Sequence, residues 1–154
     1  MSIDPGQPAP AFSMPRNGGG TVSLADLKGR KVVLYFYPKD DTSGCTKQAI
    51  GFSERLDDFR AAGAEVLGVS KDAPAKHAKF RAKHDLTVPL ASDEEAQALE
   101  AYGVWKEKSM YGKTYMGIDR STFLIDAEGR IARVWRKVKV PGHVDEVLAA
   151  TRDL

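Results

Sequence analysis

The residue of this sequence best suited to covalent chemistry is its single cysteine, Cys45. It lies in the stretch YPKDDTSGCTKQ, between an apolar run at 32–37 that reads as a buried strand and the start of a helical pattern. Ligands in open α/β sheets bind beyond the carboxyl ends of strands, and the first turn of a helix favours a thiolate over a thiol. The sequence therefore predicts a nucleophilic cysteine at this junction.

A helix terminus alone supplies too little free energy to keep a thiol ionised. Moving a cysteine from its usual pKa of about 8.5 to about 6 requires roughly 3.4 kcal/mol, whereas a helix terminus contributes about 0.3–1 kcal/mol and at most about 2. A positive charge must assist. Arg120 is the candidate because it directly precedes the strand-like run 122–125. If that strand runs antiparallel to 32–37, its beginning lies beside the end of the first strand, next to Cys45.

The elements that position Cys45 follow a strand, helix, strand order. The run 32–37 is rich in β-branched and aromatic residues, which is typical of a strand covered on both faces. After it, apolar residues recur at helical spacing and Gly63 is the expected stop: Ala49, Phe52, Leu56 and Phe59. A second strand is predicted at 65–70. This order implies a parallel strand pair and an α/β sheet.

The rest of the chain continues the alternation. Helical patterns occur at 74–84 and 94–102, separated by a brief apolar segment at 88–91, and a last helix is predicted from about 143 to 152. The segment STFLIDAEGRIARVW predicts a β-hairpin. The first 20 residues, with four prolines and a Gly-Gly-Gly run, predict an irregular arm and a loop tip.

Composition limits the possible classes of protein. The 154 residues, 42% hydrophobic and 29% charged, predict one globular domain over 1–154. Lys and Arg number 23 against 21 Asp and Glu, without a basic block, so a nucleic-acid partner is not expected. The amino-terminal residues do not resemble a signal peptide and no apolar run approaches the roughly 20 residues of a membrane span, so we expect cytoplasmic residence.

The residues around Cys45 match a known family. Pro38, Thr42 and Cys45 fit the P-x-x-x-T-x-x-C signature of the peroxiredoxins. The wider YPKDDTSGCT, together with DRSTFLID at 119–126, resembles the bacterioferritin comigratory protein (peroxiredoxin Q) branch. Further segments occur in the same order as in the family: GQPAPAF at 6–12, DLKGRKVVLYFYP at 26–38, EVLGVSKD at 65–72, KFRAKHDL at 79–86 and GHVDEVL at 142–148. The resemblance therefore covers nearly the whole chain.

The resemblance implies a fold and an activity. The fold is thioredoxin-like, a central mixed α/β sheet flanked by helices, with an N-terminal extension. The activity is reduction of hydrogen peroxide and organic hydroperoxides, with no metal or organic cofactor. Family members of this branch are often monomers, so a monomer is expected here.

The resemblance also assigns roles to individual residues. Cys45 is the attacking nucleophile and becomes a sulfenic acid. Thr42 offers its hydroxyl to the sulfur and the peroxide, Arg120 polarises the peroxide and holds the thiolate, and Pro38 shields the sulfur from water. The backbone N–H groups of Gly44 and Cys45 face the negative charge that develops on the departing oxygen.

The sequence departs from the family pattern in two places. Many relatives carry a resolving cysteine five residues after the first, but position 50 is Ile50, and the helix at 74–84 contains no cysteine either. A native isoleucine and an engineered replacement would look identical. Either way we expect a one-cysteine cycle, resolved by thioredoxin, glutaredoxin or a small thiol. Ser43 replaces the usual proline, which leaves the loop less rigid.

Other polar residues receive structural interpretations. His77, His84 and His143 are predicted to be solvated, and Asp40 and Asp41 are expected to be loop carboxylates with structural roles. A basic cluster is expected at the surface of a strand: Arg133, Arg136, Lys137 and Lys139.

Two further functions compete with peroxide reduction. A thioredoxin-type disulfide reductase is excluded because C-x-x-C is absent, with Gln48 at its second position. A redox-sensing or chaperone-like binding module, switched by oxidation of Cys45, stays open.

Overall fold

The computed structural model of the chain describes residues 3–154. In chain order the described strands are β1 (Ser13–Pro15), β2 (Thr21–Ser23), β3 (Lys31–Phe36), β4 (Ala64–Ser70), β5 (Leu90–Ser92), β6 (Trp105–Met110), β7 (Lys113–Ile118), β8 (Ser121–Ile125) and β9 (Ile131–Trp135). The helices are α1 (Ser43–Glu54), α2 (Leu56–Ala61), α3 (Pro74–His84), α4 (Gln97–Ala101) and α5 (His143–Asp153), with a 3₁₀ helix at Ala25–Leu27.

A mixed sheet of five strands lies at the centre, in the order β5-β4-β3-β8-β9. Strands β3, β4 and β5 are parallel, as the strand, helix, strand order predicts, whereas β8 runs antiparallel to β3. The register places Phe36 opposite Ser121, so the carboxyl end of β3 meets the beginning of β8. This topology confirms the antiparallel arrangement expected for the strand that follows Arg120. The hairpin of β8 and β9 is also confirmed.

Strand β3 is buried on both faces, as its apolar sequence predicts. Val32, Leu34 and Phe36 point into one core, which also receives residues of α4. Val33 and Tyr35 point into the other core, which is covered by α1, α2, α3 and α5. Each large apolar side chain fully buried in this way contributes about 1.5–3 kcal/mol to folding. Packing on both faces fixes the position and direction of β3, the strand that leads to Cys45.

The helix after β3 begins earlier than its apolar pattern and is broken once. Helix α1 starts at Ser43, and the chain leaves the helical conformation at Arg55 (φ −101°, ψ 2°) before α2. Phe52 of α1 and Phe59 of α2 nevertheless pack in the same core. The apolar spacing continues through the bend, which is why the sequence predicts one helix rather than two.

The prediction of an irregular amino-terminal arm is wrong in part. Strands β1 and β2 form an antiparallel pair, and the glycine run lies between them as the expected loop tip. Phe12 and Met14 are buried in the same core as α4. An isolated bridge joins Arg16 to Ala91 at the edge of the main sheet. The prolines hide this hairpin in the sequence because they disfavour regular strands.

A second hairpin, β6 and β7, is absent from the predictions. Within the described part of the chain, its two strands pair with each other alone, in a separate two-stranded sheet. Most of its side chains are exposed, so it lacks the alternation of a half-buried strand. Four of its exposed side chains are nevertheless large and apolar: Met110, Tyr111, Tyr115 and Met116.

Among residues 3–154, no helix is both long and apolar enough to cross a membrane.

The predicted surface position of the basic cluster on and after β9 is confirmed, since all four of its side chains are exposed.

Candidate active site

Cys45 is the third residue of α1 and is only 1% exposed. The first intrahelical bond of this helix runs from the Thr46 N–H to the Thr42 carbonyl, 2.8 Å apart. The N–H groups that precede it in the first turn have no acceptor within the helix, and they give this end of α1 a partial positive charge. The sulfur therefore lies where the sequence predicts it, buried in the first turn of the helix after β3.

Arg120, the residue directly before β8, reaches Cys45. Its Nη2 atom donates to Cys45 Sγ over 3.2 Å, and its Nη1 atom donates to Gln48 Oε1 over 2.6 Å. The first distance is far inside the roughly 8 Å that bounds a close charge pair near a protein surface. A guanidinium fixed by two partners is a positioned cation rather than a mobile surface charge. The structure therefore brings Arg120 and Cys45 together, while the predicted role of Arg120 toward the thiolate and the peroxide stays a prediction.

Gly44 leaves room for this guanidinium. A Cβ atom at position 44 would lie 3.2 Å from Arg120 Nη2, closer than ordinary van der Waals contact. It would also lie 3.9 Å from Val140 Cγ2. A residue with a side chain here would compete with Arg120 for the space beside the sulfur. Glycine is therefore needed at position 44 for a steric reason. The family resemblance implies a role for its backbone N–H group as well.

Gln48 belongs to the site, although the sequence reading uses it only to exclude C-x-x-C. It lies one helical turn after Cys45, on the same face of α1, and is fully buried. Its Oε1 atom accepts from Arg120, while its Nε2 atom has no hydrogen-bond partner among the described residues. The spacing of three residues from the nucleophile is the signal that would have revealed it.

Thr42 and Pro38 lie in the loop between β3 and α1. Thr42 is the N-cap residue of α1 with an extended backbone, and its hydroxyl donates to the Lys39 carbonyl over 2.9 Å. Its oxygen is thereby left as an acceptor. Pro38 follows β3 after Tyr37, does not continue the strand, as the sequence predicts, and is exposed. The contacts of these two residues with peroxide stay predictions.

The prediction of three solvated histidines is wrong for two of them. His77 is fully buried, 2.6 Å from an Asp40 carboxylate oxygen. His143 is 5% exposed and its Nε2 atom lies 2.8 Å from Thr122 Oγ1. Burial lowers the pKa of His143 to about 4, with a smaller contribution from the Arg120 charge, against the opposing effect of Glu146. His84 is half-buried and pairs with Asp41. The polar sequences of these helices suggest exposed histidines, but His77 and His143 are buried because each has a hydrogen-bond partner outside its own helix.

The remaining ionisable groups beside the sulfur are phenols. Burial raises the pKa of Tyr35 and of Tyr37 well above the usual range, and nearby Asp40 adds to the effect in both. Both phenols therefore remain neutral near pH 7. Among residues 3–154, no group of three or more His, Cys, Asp or Glu side chains is arranged to hold a metal ion.

Comparison with known proteins agrees with this geometry. Residues 5–134 match the family model described as AhpC/TSA family. A putative peroxiredoxin Bcp of Coxiella burnetii is 53% identical over 148 residues, covering 96% of this chain and 98% of the relative. Peroxiredoxin Bcp of Bacillus subtilis is 49% identical over 154 residues, covering 100% of this chain and 98% of the relative.

Solved structures are also similar over nearly the whole chain. The bacterioferritin comigratory protein of Xanthomonas campestris has a TM-score of 0.91 and 44% identity, covering 97% of this chain and 98% of that one. A PrxQ variant of Xylella fastidiosa has a TM-score of 0.94 and 39% identity, covering 99% and 98%. The fold is thioredoxin-like, and the chain belongs to the AhpC/TSA family, among the peroxiredoxins named Bcp.

Proposed function

We propose that the protein is a thiol peroxidase in which Cys45 reduces hydrogen peroxide and organic hydroperoxides. The observation that supports this most strongly is the 3.2 Å contact of Arg120 Nη2 with Cys45 Sγ in the first turn of α1. The similar protein of Xanthomonas campestris has alkyl peroxide reduction activity. A buried sulfur with a fixed cation and unpaired N–H groups is suited to attack on an O–O bond.

The first step is a two-electron transfer from sulfur to peroxide. The Cys45 thiolate attacks the terminal oxygen, an S–O bond forms, and the O–O bond breaks. The departing oxygen takes the bonding electron pair and a proton and leaves as water or an alcohol. Cys45 is oxidised to a sulfenic acid. Arg120 and the first-turn N–H groups of α1, including that of Gly44, stabilise the negative charge that moves from sulfur to the departing oxygen.

The loop residues orient the peroxide in this proposal. The Thr42 hydroxyl donates its proton to the Lys39 carbonyl, so its oxygen is free to act as an acceptor. In this proposal that oxygen accepts a hydrogen bond from the peroxide. Pro38 limits the approach of water at the mouth of the site. Together they select a peroxide that enters with its terminal oxygen toward Cys45.

The second step requires a thiol from outside the chain. Cys45 is the only cysteine, and Ile50 occupies the position where many relatives carry a second one. An external thiol attacks the sulfenic sulfur, a mixed disulfide forms and water leaves; a second thiol then restores Cys45 and leaves as a disulfide. Thioredoxin, glutaredoxin and small thiols are the candidate reductants. We also propose cytoplasmic residence, a monomer and one domain over 1–154.

Turnover with substoichiometric protein tests this function. With excess peroxide and each reductant in turn, we expect the wild type to consume many equivalents of peroxide and Cys45→Ser to consume none. Consumption that stops after one equivalent with every reductant would instead support a redox sensor switched by Cys45 oxidation. No consumption at all by folded wild type would contradict both functions.

A further inference from the structure

Asp40 is the buried residue of the loop that leads from β3 to α1. It is 2% exposed, and three of its atoms form hydrogen bonds: Oδ1, Oδ2 and the backbone nitrogen. Its Oδ1 accepts from the Tyr37 hydroxyl over 2.5 Å, and its Oδ2 lies 2.6 Å from His77 Nδ1. Its backbone N–H donates to Asp72 Oδ2 over 2.7 Å. The loop is therefore fixed to the end of β3, to α3 and to the segment after β4 through one residue.

The contact between Asp40 and His77 contains a proton. His77 Nε2 lies 3.0 Å from the Ala91 carbonyl oxygen, which can only accept, so Nε2 carries hydrogen. An unprotonated Nδ1 facing a carboxylate at 2.6 Å would place two acceptors against each other. A shared proton removes this conflict and makes the bond charge-assisted, the stronger class of hydrogen bond. Both side chains are fully buried, so water does not compete for it.

Only Asp41 separates Asp40 from Thr42, the N-cap residue of α1. Asp41 has a left-handed backbone (φ 62°), a conformation that is uncommon for residues other than glycine, although aspartate adopts it more often than most. Thr42 follows as the N-cap, and Cys45 lies within the first helical turn. A shift of Asp40 would therefore be transmitted to the start of the helix and to the direction of the sulfur relative to Arg120.

We propose that the Asp40–His77 pair is a positioning device for the peroxide reaction, which holds the loop so that α1 presents Cys45 to Arg120. This inference rests on the proposed peroxidase function. The hydrogen-bond partners of Asp40 and His77 among residues 3–154 do not include Cys45, so both are positioning residues rather than catalytic residues. Asp41 makes similar contacts to Lys83 and His84 of α3, but these are exposed and serve as an outer, weaker attachment.

The test measures the second-order rate of Cys45 oxidation by hydrogen peroxide. Because small displacements of reacting atoms are costly, we expect Asp40→Ala and His77→Ala to be about 10- to 100-fold slower than wild type. Asp40→Asn keeps every hydrogen bond: its amide oxygen accepts from Tyr37, and its amide N–H donates to a neutral His77. We expect this variant to stay within about threefold of wild type, as in rescue by a conservative replacement.

Two measurements separate positioning from loss of stability. Alkylation of Cys45 by iodoacetamide needs no peroxide geometry, so the ratio of peroxide rate to alkylation rate should fall in the alanine variants. Tyr102→Phe is the matched control, since it removes a buried hydroxyl that donates to the Pro10 carbonyl over 2.6 Å in the core on the other face of the sheet. It should lower the melting temperature and leave that ratio unchanged.

The double variant Asp40→Ala/His77→Ala completes the test. If the two residues act as one unit, it should be no slower than the slower single variant. A folded alanine variant that reacts like wild type would overturn the inference, as would an Asp40→Asn as slow as Asp40→Ala. If the alanine variants do not fold, His77→Gln takes their place: at least a threefold loss supports the inference and an unchanged rate overturns it. An inactive wild type would instead contradict the proposed function.

Discussion

Arg120 Nη2 lies 3.2 Å from Cys45 Sγ, although 75 positions separate the two residues in the chain. The antiparallel register of β3 and β8 makes this contact possible, because it brings the beginning of β8 beside the end of β3. Gly44 leaves the space and Gln48 fixes the second arm of the guanidinium. The position of the Arg120 guanidinium thus depends on the register of β3 and β8, on the absence of a side chain at Gly44 and on Gln48 one helical turn after Cys45.

Removing the Arg120 charge should slow the oxidation of Cys45. A hydrogen bond that involves a charged group contributes about 1.5–3 kcal/mol, so Arg120→Ala should reduce the second-order rate with hydrogen peroxide by roughly 10- to 150-fold. Arg120→Lys keeps the charge but lacks the planar fork that spans Sγ and Oε1, and should recover only part of the rate. Stopped-flow kinetics measures both. Arg133→Ala, which removes an exposed arginine, is the control and should match wild type.

Adding a methyl group at Gly44 should have a similar effect for a steric reason. The Cβ atom of Gly44→Ala would lie 3.2 Å from Arg120 Nη2, so the guanidinium must move away from the sulfur. We expect about a tenfold slower reaction with peroxide. Gly51→Ala is the matched control in the same helix, where a Cβ would meet Val144 Cγ2 at 3.0 Å. It should change thermal stability but not the rate; equal rate losses in both variants would contradict the steric account.

Gln48 should act through Arg120. Gln48→Leu removes the acceptor 2.6 Å from Nη1 and leaves one arm of the guanidinium without its partner. We expect a rate loss of about 3- to 30-fold, smaller than that of Arg120→Ala, because the charge remains. In an Arg120→Ala background the same substitution should have almost no further effect. An additive loss in the double variant would show that Gln48 acts independently of Arg120.

Stability should fall in mild acid because of His143. Burial lowers the pKa of His143 to about 4, so as the pH falls the unfolded chain takes up the proton first, below about 6.5, and the folded chain follows only near 4. The group has no effect above about pH 7, and its cost grows to at most about 2 kcal/mol at pH 5. Denaturant unfolding at both pH values measures this. The loss should be smaller in His143→Gln and unchanged in Tyr102→Phe, the control, which removes a hydroxyl whose pKa burial raises far above this pH range.

The parts of the fold that the sequence predicts are those with a continuous local signal. The buried run of β3, the parallel β4 and the hairpin of β8 and β9 follow from apolar patterns and turn residues. The position of Arg120 follows from the topology these elements allow. The β6 and β7 hairpin gives no such signal because its exposed strands are not patterned by a core.

The polar residues behind the site escape prediction for a different reason. Helix α3 has the sequence PAKHAKFRAKH, which is rich in Lys and Arg, and it buries only His77 and Phe80. Nothing local separates His77 from the exposed His of an ordinary polar helix. Its burial depends on Asp40, 37 positions away, and on the Ala91 carbonyl. Gln48 was within reach of a helical-spacing argument, whereas the environment of His77 requires the assembled fold.

The most direct measurement of the central claim is the intact mass of the protein after one equivalent of hydrogen peroxide, with and without a thiol reductant. The account predicts that wild type gains the mass of one oxygen atom on Cys45, that thiol reverses this gain through a mixed disulfide, and that Cys45→Ser gains nothing. Folded wild type that keeps its original mass after exposure to peroxide would contradict it.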